Sequence, residues 1–304
     1  VALVILFRIS NWSDLSASLV KFQPWTYAAI FGLTTVWLLI RALMWKLLIN
    51  RPVKFSLAFW GLNVGYLLNN VLPLRAGEVG KSILVGQRSG VGIFHVLSTV
   101  VIERAFDLLF AAGMMMLTLP LALGMESARP IAIATLAVVT LGFVLLFVLS
   151  RNQGWVKRQA ERLGARWNFF QRYVVPQVEA LLGGLSVLQR PWRFLACFIL
   201  IGLTWVVAVV QYYLALQVIA PGAPFWWGAF VDAGLAMGVA VPSAPAALGV
   251  WEASIVGVLA ILKVDTSSAL AYAIFMHFMQ FVVTIFYSLA GVLVSGSKVG
   301  DLFV

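Results

Sequence analysis

Charged residues are scarce in this sequence, and so are cysteine and histidine. Only 11% of the 304 residues are charged, whereas about 25% is usual in water-soluble domains. A single cysteine, Cys197, and two histidines support neither a disulfide framework nor a metal site, so we expect no metal and no cofactor. Apolar residues make up 62% of the chain, and the mean hydropathy is +0.99. This composition predicts an all-α polytopic membrane protein, with a single transmembrane domain over residues 1–304.

Acidic residues are about half as frequent as basic ones, and the formal net charge is +10. A basic surplus can accompany nucleic-acid binding, but here it falls in the connections between apolar runs. Cytoplasmic loops of membrane proteins carry such an excess. The most basic connection, residues 151–193, holds eight Lys and Arg residues against two Glu residues. We therefore predict a cytoplasmic loop at 151–193 that contacts anionic lipid or docks a cytoplasmic partner, and no nucleic-acid partner.

Several apolar runs are long enough to cross a bilayer at about 1.5 Å of rise per residue. The predicted spans are 25–49, 92–119, 131–149, 194–219 and 267–294. A short apolar stub at the start of the chain indicates one more span that begins upstream. We expect about six full spans in a multi-pass protein of the cell membrane.

Two polar segments containing proline or glycine interrupt the apolar sequence, one at residues 67–81 and one at 242–249. Lipid cannot satisfy the backbone groups that proline and glycine leave without helical partners, so each break must be buried in protein or line a wet cavity. We predict that each break lies in a broken or re-entrant helix hairpin. The corresponding repeat cores are predicted at 55–118 and 225–294.

The two breaks share a common spacing. Two glycines four residues apart precede each break, Gly61 with Gly65 and Gly234 with Gly238. Glu78 is followed 25 residues later by Glu103, and Glu252 is followed 25 residues later by His277. The glycine pairs favour close helix packing, either within the chain or in a dimer, so the oligomeric state is open.

Three predicted spans separate the two breaks. Because three is odd, the hairpins are expected to enter the membrane from opposite faces, as inverted repeats do. If the basic loop is cytoplasmic, the first break opens to the cytoplasm, the second opens to the outside, and the C-terminus is cytoplasmic.

Residues 70–78 (NVLPLRAGE), 101–107 (VIERAFD) and 245–252 (PAALGVWE) resemble the signatures of the lysylphosphatidylglycerol synthase transmembrane-region family. This family is also described as flippase-like, and it includes the membrane domain of multiple peptide resistance factor and stand-alone relatives. The resemblance implies movement of a lipid with a charged or glycosylated head group between leaflets. The chain departs from the family pattern at Ala246 and Ala247, where two glycines are usual, and at His277, near a place where arginine is common.

Ionisable side chains within apolar segments should face a cavity or one another, because a charge at the bilayer centre costs about 2.5–3.5 kcal/mol. The predicted substrate-binding residues are Asn70, Arg75, Glu78, Lys81, Glu103, Arg104 and Glu252. Among these, Arg75 and Arg104 are predicted to hold a phosphate, assisted by the N-terminus of the helix after the first break. Residues with predicted structural or coupling roles are Pro73, Gly77, Asp107, Asp232, Pro245, Gly249 and His277.

Other interpretations of these residues remain open. Glu103, Arg104 and Asp107 are also consistent with a structural ion cluster. Glu78 and Glu252 are also consistent with helix capping. Lys81 is also consistent with a side chain that extends to the cytoplasmic interface. His277 can be a hydrogen-bonded packing residue, and Asp232 can lie at the membrane interface rather than in a cavity.

The function that these residues favour is translocation of a lipid with a phosphate-containing head group through a polar cavity between the repeats. The expected partner is an anionic phospholipid or a polyprenyl-phosphate lipid. One alternative is a membrane subunit of a lipid glycosyl- or aminoacyl-transfer system, which would need a cytoplasmic or membrane enzyme partner. Another is a secondary transporter of ions or small solutes. The sequence contains no recognisable catalytic motif, so we do not expect an enzyme.

Overall fold

The computed structural model describes residues 11–73, 75–123, 151–164, 189–240 and 244–295, together with isolated positions between 133 and 148 and at 175, 178 and 182. Within these ranges we number ten α-helices: α1 Trp12–Val20, α2 Pro24–Ile49, α3 Phe55–Val71, α4 Gly77–Ser89, α5 Ile93–Leu123, α6 Gln153–Gly164, α7 Pro191–Ile219, α8 Trp226–Gly238, α9 Val250–Ile261 and α10 Thr266–Ser295. A single 3₁₀ turn, Pro245–Ala247, lies between α8 and α9.

Four of these helices are long and apolar enough to cross a membrane, namely α2, α5, α7 and the Thr266–Gly291 part of α10. This result confirms the prediction of an all-α polytopic membrane protein. The predicted upstream span and most of the predicted span at 131–149 lie outside the described residues. The basic segment 151–193 contains α6, and much of the remainder of that segment also lies outside the described residues.

Local sequence explains where several helices begin and end. Pro24 and Pro191 occupy the first turns of α2 and α7, where the missing N–H group of proline costs nothing. Asn50 and Gly90 end α2 and α4 in the left-handed conformation, with φ of 53° and 68°. Asparagine and glycine adopt this conformation more readily than other residues, so both stops can be read from the sequence.

The two helices that flank each break pack against each other, α3 with α4 and α8 with α9, and we call each pair a hairpin. Their closest approaches occur at glycines. A Cβ atom placed on Gly61 would lie 2.4 Å from Val85, and one placed on Gly234 would lie 2.3 Å from Val258. Glycine and valine are 24 positions apart in both hairpins, so equivalent residues make equivalent contacts.

The second glycine of each pair also packs within its own hairpin. A Cβ atom on Gly65 would lie 2.9 Å from the Cβ of Lys81, and one on Gly238 would lie 1.9 Å from the Oγ of Ser254. The small residues therefore allow the two arms of each hairpin to approach closely. Of the two roles that the sequence left open for these glycines, the structure shows internal packing.

Several helix contacts of the first half of the chain recur between corresponding helices of the second half. Helix α2 packs against α7, which is its counterpart in the second half. The second arm of each hairpin packs against the span that follows it, α4 on α5 and α9 on α10. The first arm packs across the molecule against the span of the other half, α3 on α10 and α8 on α5. Each break is therefore held between elements of both halves.

Replacing Gly77 with alanine tests the close packing at the first break. The added Cβ would lie 1.9 Å from the carbonyl oxygen of Gly65 and 2.8 Å from the backbone nitrogen of Asn69, and backbone atoms cannot move aside cheaply. We expect Gly77→Ala to lower the free energy of unfolding by about 1–3 kcal/mol. Thermal unfolding of the purified protein in detergent measures this change.

Gly32→Ala is the matched control, because nothing lies within 4 Å of its Cβ position. In an open helical site alanine is more favourable than glycine by up to about 1 kcal/mol, so this variant should keep or raise stability. Equal melting temperatures for Gly77→Ala and Gly32→Ala would contradict the packing described here.

Candidate functional site

Six ionisable side chains from three helices meet next to the first break. We call them the charge cluster: Arg41, Glu78, Lys81, Glu103, Arg104 and Asp107. They come from α2, α4 and α5. Helix α4, the second arm of the first hairpin, packs against α5. Three are cations and three are anions, so the cluster is neutral as a unit.

Glu103 is the centre of the charge cluster. It is fully buried, and its Oε1 accepts a hydrogen bond of 2.8 Å from Nε of Arg41. Its Oε2 accepts a hydrogen bond of 3.0 Å from Nζ of Lys81. Nη2 of Arg104 lies 3.2 Å from Oε1. One carboxylate thus joins three cations, which offsets the cost of removing it from water.

Lys81 is buried and does not reach a membrane interface. Only 1% of its surface is exposed, and its Nζ lies 2.8 Å from Oε2 of Glu78 in addition to its bond with Glu103. The ammonium group also lies 4.9 Å from the ring centre of Trp45. The interpretation of Lys81 as an interfacial side chain is therefore wrong, because two carboxylates and an aromatic ring hold it in the interior.

The outer edge of the charge cluster is formed by Asp107, Arg104 and Glu78. Asp107 accepts a hydrogen bond of 2.8 Å from Nη1 of Arg41 and a second bond from Nη2 of the same guanidinium. Arg104 lies 3.3 Å from Asp107 and 3.5 Å from Glu78. Its side chain is 31% exposed, so Arg104 is the most accessible member of the cluster.

Arg41 is the member of the charge cluster that sequence reasoning missed. It lies in the middle of α2, 2% exposed, with its guanidinium 5.4 Å from the ring centre of Trp37. The signal was present, because a charge deep in a long apolar run is itself an indication of a functional or paired site.

Two adjoining cavities lie between the hairpins. The larger, of about 360 Å³, extends among α2, α5, α7 and α8, and the smaller, of about 160 Å³, lies between the two breaks. Both are lined by Tyr66, Arg75, Arg104, Trp251 and Gln280. The predicted residues Asn70, Glu78 and His277 line the smaller cavity, whereas Asp107 and Asp232 line the larger. The cavities thus connect the charge cluster with both breaks.

Arg75 lies where the two cavities meet. Its backbone has φ of 55°, a left-handed conformation that costs a residue with a Cβ roughly 1–2 kcal/mol. Its Nη2 donates a hydrogen bond of 2.5 Å to the carbonyl oxygen of Val239, at the end of α8. Arg75 forms no ion pair within the part of the chain that the structure describes. It therefore adds one uncompensated positive charge to a neutral cluster.

Several buried polar atoms at these cavities have no hydrogen-bond partner among the described residues. Four are donors or donor groups: Tyr66 Oη, Asn70 Nδ2, Arg104 Nε and Trp251 Nε1. Two are acceptors, Oδ2 of Asp232 and Oε2 of Glu78, and the second of these lies 2.8 Å from Nζ of Lys81. An unpaired buried polar atom costs about 1–3 kcal/mol, so natural proteins keep few of them outside functional sites. The excess of donors suits a ligand rich in acceptor oxygens.

The first two N–H groups of α4 donate to acceptors within the protein. The N–H of Gly77 donates to Oδ1 of Asn69 at 2.8 Å, and the N–H of Glu78 donates to the carbonyl oxygen of Arg75 at 3.0 Å. Both groups therefore have partners within the protein. The binding of an anion at this helix N-terminus stays a prediction.

At the second break Glu252 and His277 meet directly, whereas at the first break Lys81 joins Glu78 to Glu103. Oε2 of Glu252 accepts from the N–H of Gly249 at 2.8 Å, which caps α9, and its Oε1 lies 2.7 Å from Nδ1 of His277. The His277 ring stacks on Trp251, with ring centres 4.6 Å apart. Glu252 thus performs the capping role that the sequence left open, and it also orients a histidine at the cavity.

The positions where the chain departs from the usual glycines have strained backbone. Ala246 and Ala247 have φ of 57° and 55° in the turn that begins at Pro245, and Gly249 has φ of 83°. The left-handed region costs alanine about 1–2 kcal/mol and costs glycine little. The second break thus keeps its turn despite two alanines. Pro242 lies outside the described residues.

These features define a polytopic helical membrane protein with a charged cavity between two hairpins. The chain belongs to the family described as "Lysylphosphatidylglycerol synthase TM region", whose model matches residues 1–288. This match confirms the resemblance read from the three motifs. The family name supports a lipid-related role for the membrane protein.

A relative described as "UPF0104 membrane protein", from Methanothermobacter thermautotrophicus, is 31% identical over 81 residues. The match covers 26% of this chain and 24% of that protein. No solved structure matches the chain.

Proposed function

We propose that this protein moves a lipid with a phosphate-containing head group between the leaflets of the cell membrane. The observation that carries the proposal is the lining of the two cavities. Among the described residues it combines Arg75, which forms no ion pair, with four buried donors that have no hydrogen-bond partner. A phosphate has acceptor oxygens and negative charge, and so it complements both features. An anionic phospholipid and a polyprenyl phosphate share this chemistry, and the experiment below distinguishes them.

Arg75 is the principal phosphate ligand in this proposal. A guanidinium carries five N–H donors in a rigid fork, and the structure shows one of them engaged with Val239. Arg104 lines both cavities as well, and its buried Nε has no hydrogen-bond partner among the described residues. Because the carboxylates of the charge cluster already neutralise Arg104, Arg75 supplies most of the net attraction.

The remainder of the charge cluster holds the site in place. Lys81 and Glu103 line neither cavity, and Arg41, which lines the larger one, is engaged by Glu103 and Asp107. These ion pairs fix α4 against α2 and α5. Their rigidity keeps Arg104 and Glu78 at the cavity wall, which lowers the cost of ordering the site when a ligand binds.

We further propose that the two hairpins are re-entrant and enter from opposite faces of the membrane. The recurrence of helix contacts between the two halves supports this arrangement, because it places a break from each half at one shared cavity. The basic segment 151–193 and the C-terminus then face the cytoplasm. In this arrangement the chain transports its lipid without changing it chemically.

The test is lipid translocation in proteoliposomes that contain the purified protein. The probes are a head-group-labelled anionic phospholipid, a labelled polyprenyl phosphate and a labelled neutral glycolipid without phosphate. We expect the protein to accelerate movement of at least one phosphate lipid over protein-free vesicles and not that of the neutral lipid. Equal movement of all three probes, or movement of none by folded protein, would overturn the proposal.

A further inference from the structure

Asp232 is a buried carboxylate that has no role in the phosphate site proposed above. It lies on α8, the first arm of the second hairpin, with 8% of its surface exposed. Its side chain lines the larger cavity, and its Oδ2 has no hydrogen-bond partner among the described residues. Every other described carboxylate at the two cavities is paired with a cation, namely Glu78 and Asp107.

The groups around Asp232 do not neutralise a negative charge. Helix α8 packs against α5, α7 and α9. From α5 the nearby ionisable group is Asp107, from α7 it is Tyr212, and α10 adds Tyr272. None of these three is a cation. Glu252, on α9, is engaged with Gly249 and His277.

The cations that line the same cavity are bonded to groups other than Asp232. Arg41 binds Glu103 and Asp107, and Arg104 lies between Glu78, Glu103 and Asp107. Arg75 donates to the carbonyl oxygen of Val239. Within the described residues none of the three forms an ion pair with Asp232. An ionised carboxylate in this position would therefore be buried without compensation, which is costly.

A proton is the positive species that fits a lone carboxylate. Metal ions such as Mg²⁺ and Ca²⁺ need about six oxygen ligands, several of them usually carboxylates. The described residues contain no group of three or more His, Cys, Asp or Glu side chains that could hold a metal. One proton on Oδ2 neutralises Asp232 and needs no further ligands.

We propose that Asp232 is a proton-binding site of the translocation cavity, and that proton binding there favours entry of the phosphate head group. The proposal rests on the lipid-translocator function proposed above. The proton comes from water in the cavity and binds Oδ2 of the carboxylate. An ionised Asp232 repels a phosphate in the same cavity, whereas a neutral Asp232 does not. By linkage the head group then strengthens proton binding by the same factor.

The first experiment detects the proton without reference to transport. Infrared spectra of the purified protein at neutral pH are compared for wild type, Asp232→Asn and Asp14→Asn. Asp14 is exposed at the start of α1 and lines neither of the two cavities, which makes it the matched control. We expect the carbonyl stretch of a protonated carboxylic acid in wild type and in Asp14→Asn, and its loss in Asp232→Asn. The same band in all three proteins would overturn the proposal.

The second experiment measures transport of the phosphate lipid from mildly acidic to mildly alkaline pH. We expect the wild-type rate to fall about tenfold as the pH rises, since Asp232 then loses its proton. Asp232→Asn, a permanently neutral analogue, should transport lipid with little dependence on pH, and Asp14→Asn should behave as wild type. An identical pH profile for wild type and Asp232→Asn would overturn the coupling.

The two experiments separate this proposal from the translocator function. A protonated-acid band that depends on Asp232, together with no lipid movement by any folded variant, would support the proton site and overturn the translocator. Lipid movement by a protein that lacks this band would support the translocator and overturn the proton site. Equal melting temperatures of the variants in detergent establish that the folded protein is being compared.

Discussion

Arg75→Ala is expected to lower the rate of phosphate-lipid transport by about 100-fold or more. The guanidinium is the uncompensated cation at the junction of the two cavities, and each charge-assisted hydrogen bond to a phosphate contributes about 1.5–3 kcal/mol. Loss of a bidentate pair therefore removes roughly 3 kcal/mol or more, and each 1.4 kcal/mol corresponds to a factor of about ten. Translocation in proteoliposomes at equal protein density measures the effect.

The protein should remain folded in this variant. Arg75 forms no ion pair within the described residues, and the hydrogen bond to Val239 that it loses is worth about 1 kcal/mol. Alanine can adopt the backbone conformation at this position at a cost similar to that of arginine. The melting temperature in detergent should fall by only a few degrees, so a loss of transport is not a loss of fold.

Two further variants sharpen the Arg75 experiment. Arg75→Lys keeps the charge but loses the planar fork, so we expect a rate between those of wild type and Arg75→Ala. Arg51→Ala removes one charge from an exposed position in the connection between α2 and α3, and it should leave transport unchanged. Wild-type transport by Arg75→Ala would show that the phosphate is bound elsewhere.

Glu103→Ala is expected to cause the largest loss of stability in the chain. Its carboxylate joins Arg41, Lys81 and Arg104, and removal leaves two of these cations fully buried with one carboxylate each. Breaking a buried ion pair by removing one partner costs about 3–5 kcal/mol, because the other charge remains in a poorly polarisable environment. Chemical or thermal unfolding in detergent measures the difference.

The control for Glu103→Ala is Glu161→Ala on α6. Glu161 lies 3.9 Å from Lys157 with both side chains about half exposed, so its removal should change stability by less than about 0.5 kcal/mol. A double variant, Glu103→Ala with Lys81→Met, should be less damaging than the sum of the two single changes, because the two residues interact directly. Strict additivity would mean that the charge cluster does not act as a unit.

Much of the fold can be predicted from the sequence for a simple physical reason. A membrane excludes water, so a helix that crosses it must be a long apolar run, and four such runs coincide with the helices α2, α5, α7 and α10. Proline and glycine disturb helical hydrogen bonding wherever they occur, which placed both breaks near Pro73 and Pro245. The equal spacing of Glu78 to Glu103 and of Glu252 to His277 predicted equivalent hairpins, and in the structure the two arms pack together at both breaks. The equivalence of the two halves as repeats stays a prediction.

The list of candidate site residues was also accessible from the sequence. Charge in an apolar segment is rare and costly, so it marks positions that need a partner. That rule identified Arg75, Arg104 and Asp232, and it would also have identified Arg41 had it been applied to the interior of α2. The inverted orientation of the hairpins remains a prediction from the count of spans.

Only the tertiary structure decided which partner each charge has. Lys81 is a plausible interfacial residue until the hairpin places Glu78 and Glu103 around it. From the sequence, the glycine pairs are equally consistent with a dimer interface. In the structure, residues of α4 and α9 pack directly against them. Asp232 differs from Asp107 through its neighbours, since a guanidinium reaches one carboxylate and not the other. The sequence by itself therefore determined the membrane class, the breaks and the charged candidates, because hydropathy and backbone chemistry are local properties. Which charges are neutralised and which face the cavity was decided by tertiary packing, because electrostatic pairing depends on distances between helices far apart in the chain.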